Sequence, residues 1–106
     1  MGFDEEVWSL LRKIPKGRVT TYKLVAEAMG SKAYRAVGNA CRRNPYSPTV
    51  PCHRVVKSDG RVGGFGGEVS GRNVERKIRM LRMEGVEVRD GRVLNFSEIL
   101  FKFRQV

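Results

Sequence analysis

Three prolines within nine residues, at positions 45, 48 and 51, prevent any helix from running through the middle of this chain. Proline lacks a backbone N–H, and it disfavours helical geometry in the residue before it. Residues 44–52 are therefore predicted to form a rigid, extended loop. Regular structure must lie on either side of this loop, in a chain of 106 residues that is long enough for one core but not for two.

Hydrophobic spacing before the loop predicts three helices. Apolar residues recur at helical spacing over residues 3–14, and two further helices are predicted over residues 22–29 and 32–43. The last two are joined by Gly30-Ser31, an arrangement that resembles a helix-turn-helix, although an ordinary helical hairpin remains an alternative. Asp4 is expected to be an N-terminal charge or cap of the first helix, and the expected caps of the second and third are Thr20 or Thr21 and Ser31.

Shorter elements are predicted after the loop. Val55 and Val56 form a short strand, residues 74–81 have helical spacing that ends near Gly85, and residues 97–103 form a terminal helix. Residues 86–94 alternate around Asp90-Gly91, which predicts a tight hairpin. The fold class is therefore mainly α, a helix-turn-helix (winged-helix-like) domain with short β-strands and a small β-hairpin.

The chain is strongly basic. It has 21 Lys and Arg against 11 Asp and Glu, a net charge of +10, and residues 28–67 contain seven basic side chains but one acidic one. This distribution favours nucleic acid as the partner over a merely solvated basic surface. No apolar run approaches the length of a membrane span, and the acidic N-terminus lacks the apolar segment of a secretory signal. We therefore predict a cytoplasmic protein, nucleoid-associated if prokaryotic, a monomer without membrane association.

Potential metal ligands are few. Cys41, Cys52 and His53 cannot complete a Cys/His zinc site, so no metal and no cofactor are predicted. A disulfide between the two cysteines remains open, although nothing indicates an oxidising compartment. Residues 63–67 form a glycine-rich loop, but the spacing and the Lys-Ser/Thr end of a phosphate-binding Walker loop are absent.

The candidate catalytic residues lie in the segment Pro51-Cys52-His53-Arg54. A thiol is mostly protonated at neutral pH, and the thiolate is the nucleophile. A neighbouring imidazole can accept the proton, and the nearby guanidinium of Arg54 favours the anion. The alternative is that Cys52 is an inert buried residue and His53 a satisfied polar one, since adjacent side chains often point apart.

Pro51-Cys52-His53-Arg54-Val55-Val56 resembles the active-site motif of the O6-alkylguanine-DNA alkyltransferases, also called methylated-DNA–protein-cysteine methyltransferases. Further segments resemble that family in the same order along the chain, from about Val7 to Gly85. They are Val19-Thr20-Thr21-Tyr22, Arg35-Ala36-Val37-Gly38-Asn39-Ala40, Asn44-Pro45, Val62-Gly63 and Met83-Glu84-Gly85.

The resemblance implies a single-use repair reaction on duplex DNA. The helix-turn-helix binds the minor groove, an alkylated guanine is flipped out, and its alkyl group moves to Cys52. His53 is the base, acting through a water, Glu84 orients His53, and Asn44 ties the hinge to the active loop. Arg35 fills the space of the flipped base, and Tyr22 presses on its phosphate. The residues expected to contact DNA are Tyr22, Arg35, Ala36, Gly38, Arg42 and Arg43. Those expected to contact the substrate base are Tyr22, Phe65, Gly66 and the backbone carbonyls of Cys52 and Val55.

Two positions depart from the family pattern. Family members often have Tyr where this chain has Phe65 and Ser where it has Gly66. Phe65 supplies packing without a proton, while Gly66 retains a backbone N–H, so transfer is expected to be retained but slower. The resemblance also implies one domain over residues 1–106, without the additional N-terminal domain of many relatives.

Three other functions compete with this interpretation. An alkyltransferase-like protein marks lesions without transfer, although such proteins replace the cysteine that this chain retains at Cys52. A helix-turn-helix regulator binds a specific sequence, and the Cys-His pair is then incidental. A cysteine hydrolase needs an oxyanion hole, for which the chain offers only its glycine-rich loop.

Overall fold

The computed structural model describes residues 2–64 and 71–103. Its elements are α1 (Phe3–Leu11), β1 (Thr20–Thr21), α2 (Tyr22–Ala28), α3 (Tyr34–Arg42), a 3-10 turn (Cys52–Arg54), β2 (Val55–Val56), α4 (Arg72–Met83), β3 (Val88–Arg89), β4 (Arg92–Val93) and α5 (Phe96–Ile99). The predicted fold class, mainly helical with short strands and one hairpin, is confirmed.

The helix-turn-helix consists of α2 and α3. Thr21 caps α2 as predicted, since its hydroxyl oxygen accepts a hydrogen bond from the backbone N–H of Leu24 at 3.0 Å. The predicted start of α3 was wrong. The Ser31 hydroxyl accepts from the N–H of Ala33 only two residues later, which forms a local turn and delays the helix until Tyr34.

Both ends of the chain contain shorter helices than the spacing predicts. Helix α1 begins at Phe3 after Gly2 and ends at Leu11, because the N–H of Ile14 bonds the carbonyl of Leu11 in a tighter turn. The terminal helix covers only Phe96–Ile99. The following residues run extended beside Val19, which accepts from the N–H of Phe101 at 2.6 Å, so backbone pairing replaces the expected helix.

Two small sheets hold the functional segments in place. Strands β1 and β2 pair in parallel, with Thr20 opposite Val55, so the entry to α2 is fixed beside the chain that follows the proline-rich loop. Strands β3 and β4 form the predicted antiparallel hairpin. Its turn residues Asp90 and Gly91 both have positive φ, at 51° and 73°, the geometry that favours Asp-Gly in a two-residue turn.

The core has two clusters. One packs α1, α2 and α3 together and includes Cys52, whereas the other packs α4 against the hairpin and Val19. Strand β2 joins them, because Val55 belongs to the first cluster and Val56 to the second. None of the helices in the described ranges is long and apolar enough to cross a membrane.

Candidate active site

Cys52 lies at the junction between the proline-rich loop and β2. It begins the single 3-10 turn Cys52–Arg54, and its backbone N–H donates to the carbonyl of Val50 at 2.9 Å. Only 6% of the residue is exposed. Cys52 and Cys41 are both free thiols, so the disulfide left open by the sequence is not formed.

His53 is buried and held by a carboxylate. Its Nε2 lies 3.0 Å from Oε2 of Glu84, and its Nδ1 has no hydrogen-bond partner among the described residues. Burial lowers the pKa of His53 from its usual value, and Glu84 opposes that change without reversing it. The ring is therefore neutral at pH 7. Since the ionised carboxylate can only accept a hydrogen bond, Nε2 carries the proton and donates, and the lone pair lies on Nδ1.

Arg54 fixes the same carboxylate from the other side. Its Nε and Nη2 bond the two oxygens of Glu84 at 2.9 and 2.6 Å, and its Nη1 donates to the carbonyl of Ile14 at 2.8 Å. Burial alone raises the pKa of Glu84, but the hydrogen bonds from Arg54 and His53 outweigh burial and lower it. Glu84 thus stays ionised. The sequence interpretation placed Arg54 beside the thiolate, whereas here its guanidinium is committed to Glu84.

Asn44 stabilises the loop before Cys52. Its amide nitrogen donates to the carbonyl of Val50 at 2.8 Å, and its side-chain oxygen accepts from the N–H of Tyr46 at 2.8 Å. Its own backbone N–H donates to Cys41 at the end of α3. These bonds connect the hinge to the loop that carries Cys52, the contact that the family resemblance implies for Asn44.

Tyr22 and Cys41 lie beside Cys52 in a water-poor region. Tyr22 packs against the first core cluster, and burial raises the pKa of its hydroxyl far above the usual range, with the Cys41 and Cys52 thiols adding to the effect. Burial also raises the pKa of Cys41 to about 12. Cys41 therefore stays a thiol at neutral pH and is a poor nucleophile.

Lys77 is a functional-site neighbour that sequence analysis missed. Its side chain is fully buried, and Nζ donates to the carbonyls of Val55, at 2.8 Å, of Gly64, at 3.1 Å, and of Val62. It also lies 5.9 Å from the ring centroid of Tyr22. Burial lowers the pKa of Lys77 to about 8. The Val55 carbonyl, expected to contact the substrate base, thus already accepts one hydrogen bond.

The exposed side of α3 carries most of the residues expected to contact DNA, whereas Tyr22 begins α2 and Arg43 follows α3. Arg35 and Arg42 are exposed, and a Cβ added at Gly38 meets nothing within 4 Å. The small residue is therefore not required by packing within the described chain, and it leaves room for close approach by a partner. Arg43 differs, because its guanidinium forms two bonds with Asp4 of α1, at 2.7 and 2.9 Å.

The structure brings together most of the predicted catalytic group. His53 and Glu84 are in direct contact, and Asn44 is linked to Cys52 through the Val50 carbonyl, which accepts bonds from both. Phe65 and Gly66 lie outside the described residues. Within the described ranges, no group of three or more His, Cys, Asp or Glu side chains is arranged to hold a metal ion.

Comparison with known proteins places this arrangement in a family. Residues 2–86 match the sequence profile of the DNA-binding domain of 6-O-methylguanine DNA methyltransferase. A methylated-DNA–protein-cysteine methyltransferase of Methanosarcina barkeri is 48% identical over 64 residues, which cover 59% of this chain and 40% of that protein. The chain spans about half or less of the length of the curated relatives compared, from 22% to 51%.

Solved structures agree with the sequence match. The OGT of Mycobacterium tuberculosis in complex with DNA is 38% identical with a TM-score of 0.70, over 79% of this chain and 50% of that one. The ATL of S. pombe in complex with DNA is 32% identical with a TM-score of 0.77, over 94% of each chain. From its profile match, its relatives and its fold, this chain belongs to the 6-O-methylguanine DNA methyltransferase family of DNA repair proteins.

Proposed function

We propose that this chain binds duplex DNA and moves the alkyl group of an O6-alkylguanine to Sγ of Cys52, once per molecule. The observation that carries the proposal is the buried pair of neighbours Cys52 and His53, in which burial keeps the imidazole neutral and Glu84 holds its Nε2, leaving the Nδ1 lone pair unused. A nucleophile beside a base that a third group orients is the pattern of an activated nucleophile.

The proposed reaction is a displacement at the alkyl carbon. His53 accepts the thiol proton at Nδ1 through a water molecule, and Sγ of Cys52 attacks the carbon. The S–C bond forms as the O6–C bond breaks, the electron pair moves onto the guanine, and a proton returns to give neutral guanine. Glu84 stabilises the charged imidazole between the two proton transfers. The thioether has no route back to a thiol, so each chain reacts once.

DNA binding is assigned to the helix-turn-helix. Arg35 and Arg42 project from the exposed side of α3, where Ala36 and Gly38 keep the helix surface narrow. Tyr22 begins α2 and packs against the core cluster that includes Cys52, and we assign to it the contact with the backbone of the flipped nucleotide. Arg43 is proposed to act chiefly through its bond to Asp4, which fixes α3 against α1.

The decisive test is the intact mass of the protein after incubation with a duplex containing O6-methylguanine. We expect every active chain to gain the mass of one methyl group, and peptide mapping to place it on Cys52. An undamaged duplex of the same sequence is the control. Methylation at another residue, or more than one group per chain, contradicts the proposal.

Arg35 is expected to assist base flipping in duplex DNA and to have no part in the transfer of the alkyl group to Cys52. Arg35→Ala should slow transfer from duplex O6-methylguanine by about tenfold to a hundredfold, since a guanidinium that fills the vacated stack offsets a flipping cost of a few kcal/mol. Transfer from the free base O6-benzylguanine should be nearly unchanged. Arg12→Ala, at the residue that follows α1, is the matched control. Equal losses on both substrates would remove the role in flipping.

A second candidate function is lesion recognition without transfer. It is favoured by the similarity to S. pombe Atl1, solved with DNA containing O6-carboxymethylguanine, which covers 96% of this chain and 99% of that one. Under this alternative the protein binds damaged duplex tightly and gains no mass. The same mass measurement, combined with a binding titration on the damaged duplex, distinguishes the two.

A further inference from the structure

Three arginines lie side by side on the solvent face of the hairpin. Arg89 and Arg92 are directly opposite each other across β3 and β4, and Arg92 also pairs with Arg61 in an antiparallel bridge. All three are exposed, whereas Val88 and Val93 on the other face are buried. Because directly opposite residues project to the same face of a sheet, the three side chains form one row, called here the arginine row (Arg61, Arg92, Arg89).

The spacing within the row is close. The bonds from Val62 N–H to Gly91 and from Val93 N–H to Gly60 flank the Arg61–Arg92 pair, which makes it a non-hydrogen-bonded pair with Cα atoms about 4.5 Å apart. The Arg89–Arg92 pair closes a two-residue turn, where the separation is about 5.5 Å. The row therefore extends over about 10 Å.

Like charges at this spacing destabilise a sheet. Asp59 is the single described carboxylate in ion-pair distance of the row, 3.5 Å from Arg61, and both groups are about half exposed. Glu87 and Asp90 also belong to the hairpin, but among the described residues no carboxylate lies within ion-pair distance of Arg89 or Arg92. The charge of Arg92 also helps to lower the pKa of Asp59, so this one carboxylate is shared by two of the three arginines. An arrangement that weakens the free protein is explained if an anion neutralises it in the bound state.

The row borders a cleft that reaches the candidate active site. The cleft has a volume of about 620 Å³, with Tyr22 and Gly63 at one part of its wall and Arg61, Asp90 and Gly91 at another. A Cβ added at Gly63 would lie 3.1 Å from the Lys57 side chain and 3.9 Å from the Tyr22 ring, so both side chains border the cleft close to Gly63. A polyanion that contacts Tyr22 can therefore continue along the cleft onto the hairpin.

We propose that the arginine row binds the phosphate backbone of the DNA duplex beside the nucleotide held at Tyr22. This inference rests on the proposed binding of duplex DNA and adds a second contact surface to the helix-turn-helix. Duplex DNA carries about one negative charge per 1.7 Å of axis, so a row of about 10 Å faces several phosphates. Guanidinium groups bind phosphate oxygens through paired N–H donors, which suits arginine for this role.

The test uses the full chain and an undamaged duplex titrated over a range of NaCl concentrations. The double substitution Arg89→Gln with Arg92→Gln removes two charges from the row. We expect affinity to fall by about tenfold to a hundredfold, and the slope of log K against log salt to become shallower by about 2. The control is Arg76→Gln with Arg79→Gln, which removes two exposed charges from the face of α4 opposite its buried residues.

Thermal unfolding provides a second readout. Without DNA, the hairpin variant should unfold about 1–4 °C higher than the unaltered chain, because the opposed charges are relieved, and the gain should shrink at high salt. Both side chains are exposed, so the variant is expected to fold. A fall in melting temperature would contradict the destabilising pairing on which the proposal depends.

The outcomes separate this proposal from the proposed function. An unchanged salt slope, or an equal loss in the α4 control, overturns the arginine row as a phosphate contact and leaves another acidic partner as its occupant. Undamaged duplex carries no alkyl group, so the titration decides the proposal whether or not Cys52 accepts one. A chain that shows the expected slope change but no mass gain on damaged duplex overturns transfer alone.

Discussion

Replacing Cys52 with alanine is expected to abolish alkyl transfer and to leave binding to the damaged duplex within about threefold of the unaltered chain. The reaction requires a thiolate within reach of the flipped base, and the described structure offers no substitute. Cys41 is the other cysteine, but burial raises its pKa to about 12, so its thiolate is scarce at neutral pH. Alanine removes only Sγ from a buried site and adds no charge, which is why binding should survive.

Cys41→Ala is the matched control for this experiment. It removes a partly buried thiol that packs against the same core cluster, and it should retain the gain of one methyl group. Binding is measured on duplex with and without O6-methylguanine, and transfer by intact mass. If Cys52→Ala still gained a methyl group, or if Cys41→Ala lost it, the assignment of Cys52 as the acceptor would be wrong.

The sequence predicted the short strand that follows Cys52 because the motif residues there are contiguous. Pro51 to Val56 form the turn and strand that place Cys52, and Thr21 caps α2 as its position before an apolar run predicts. The contact between His53 and Glu84 joins residues 31 positions apart, and the family resemblance, not local spacing, was its only signal.

Counting basic residues overestimated the free positive charge, because some of these side chains form ion pairs. Arg43 and Arg54 both contributed to the basic stretch, but the structure pairs them with Asp4 and Glu84 through two bonds each. Neither acid is close to its partner in sequence, so no local pattern exposes the pairing. The free positive surface around α3 and the active site is therefore smaller than the count of basic residues over 28–67 indicates.

The spacing of apolar residues around Lys77 indicates that this lysine is buried. Positions 74, 77, 78 and 81 fall on one face of a helix, and three of the four are Val, Ile and Leu. A lysine on such a face must find acceptors or leave the core. Those acceptors are carbonyls of β2 and of the chain that follows it, and they become visible only when α4 packs against that region.

Lys77→Met is expected to lower the free energy of unfolding by roughly 2–4 kcal/mol at pH 7, because the carbonyls of Val55, Val62 and Gly64 lose their donor in a buried region. Methionine has a similar length and no polar group, so the cavity term is small. Urea denaturation of the two proteins measures the difference. Arg76→Met, at an exposed position of the same helix, should change stability by less than about 0.5 kcal/mol.

Comparing Lys77→Met with the unaltered chain also measures how Lys77 makes the free energy of unfolding depend on pH. The folded pKa of about 8 lies below the usual 10.5, so between these values the unfolded chain binds more protons than the folded one. Stability due to Lys77 therefore rises with pH across this window and is lost as pH falls through about 8. The difference between the unaltered chain and Lys77→Met should widen from pH 8 to 10.5, by up to about 3 kcal/mol.

The stability of Lys77→Met is subtracted from that of the unaltered chain because other buried groups change stability with pH in the opposite direction. The raised pKa values of Cys41 and Tyr22 make the folded state lose stability as the unfolded chain ionises above pH 9 to 10, and both residues are present in both proteins. The part due to their burial cancels in the difference, whereas the charge coupling between Lys77 and Cys41 remains in it. If the difference in the free energy of unfolding stayed constant from pH 8 to 10.5, Lys77 would titrate at its ordinary pKa. The three carbonyls would then stabilise the ammonium group as well as water does.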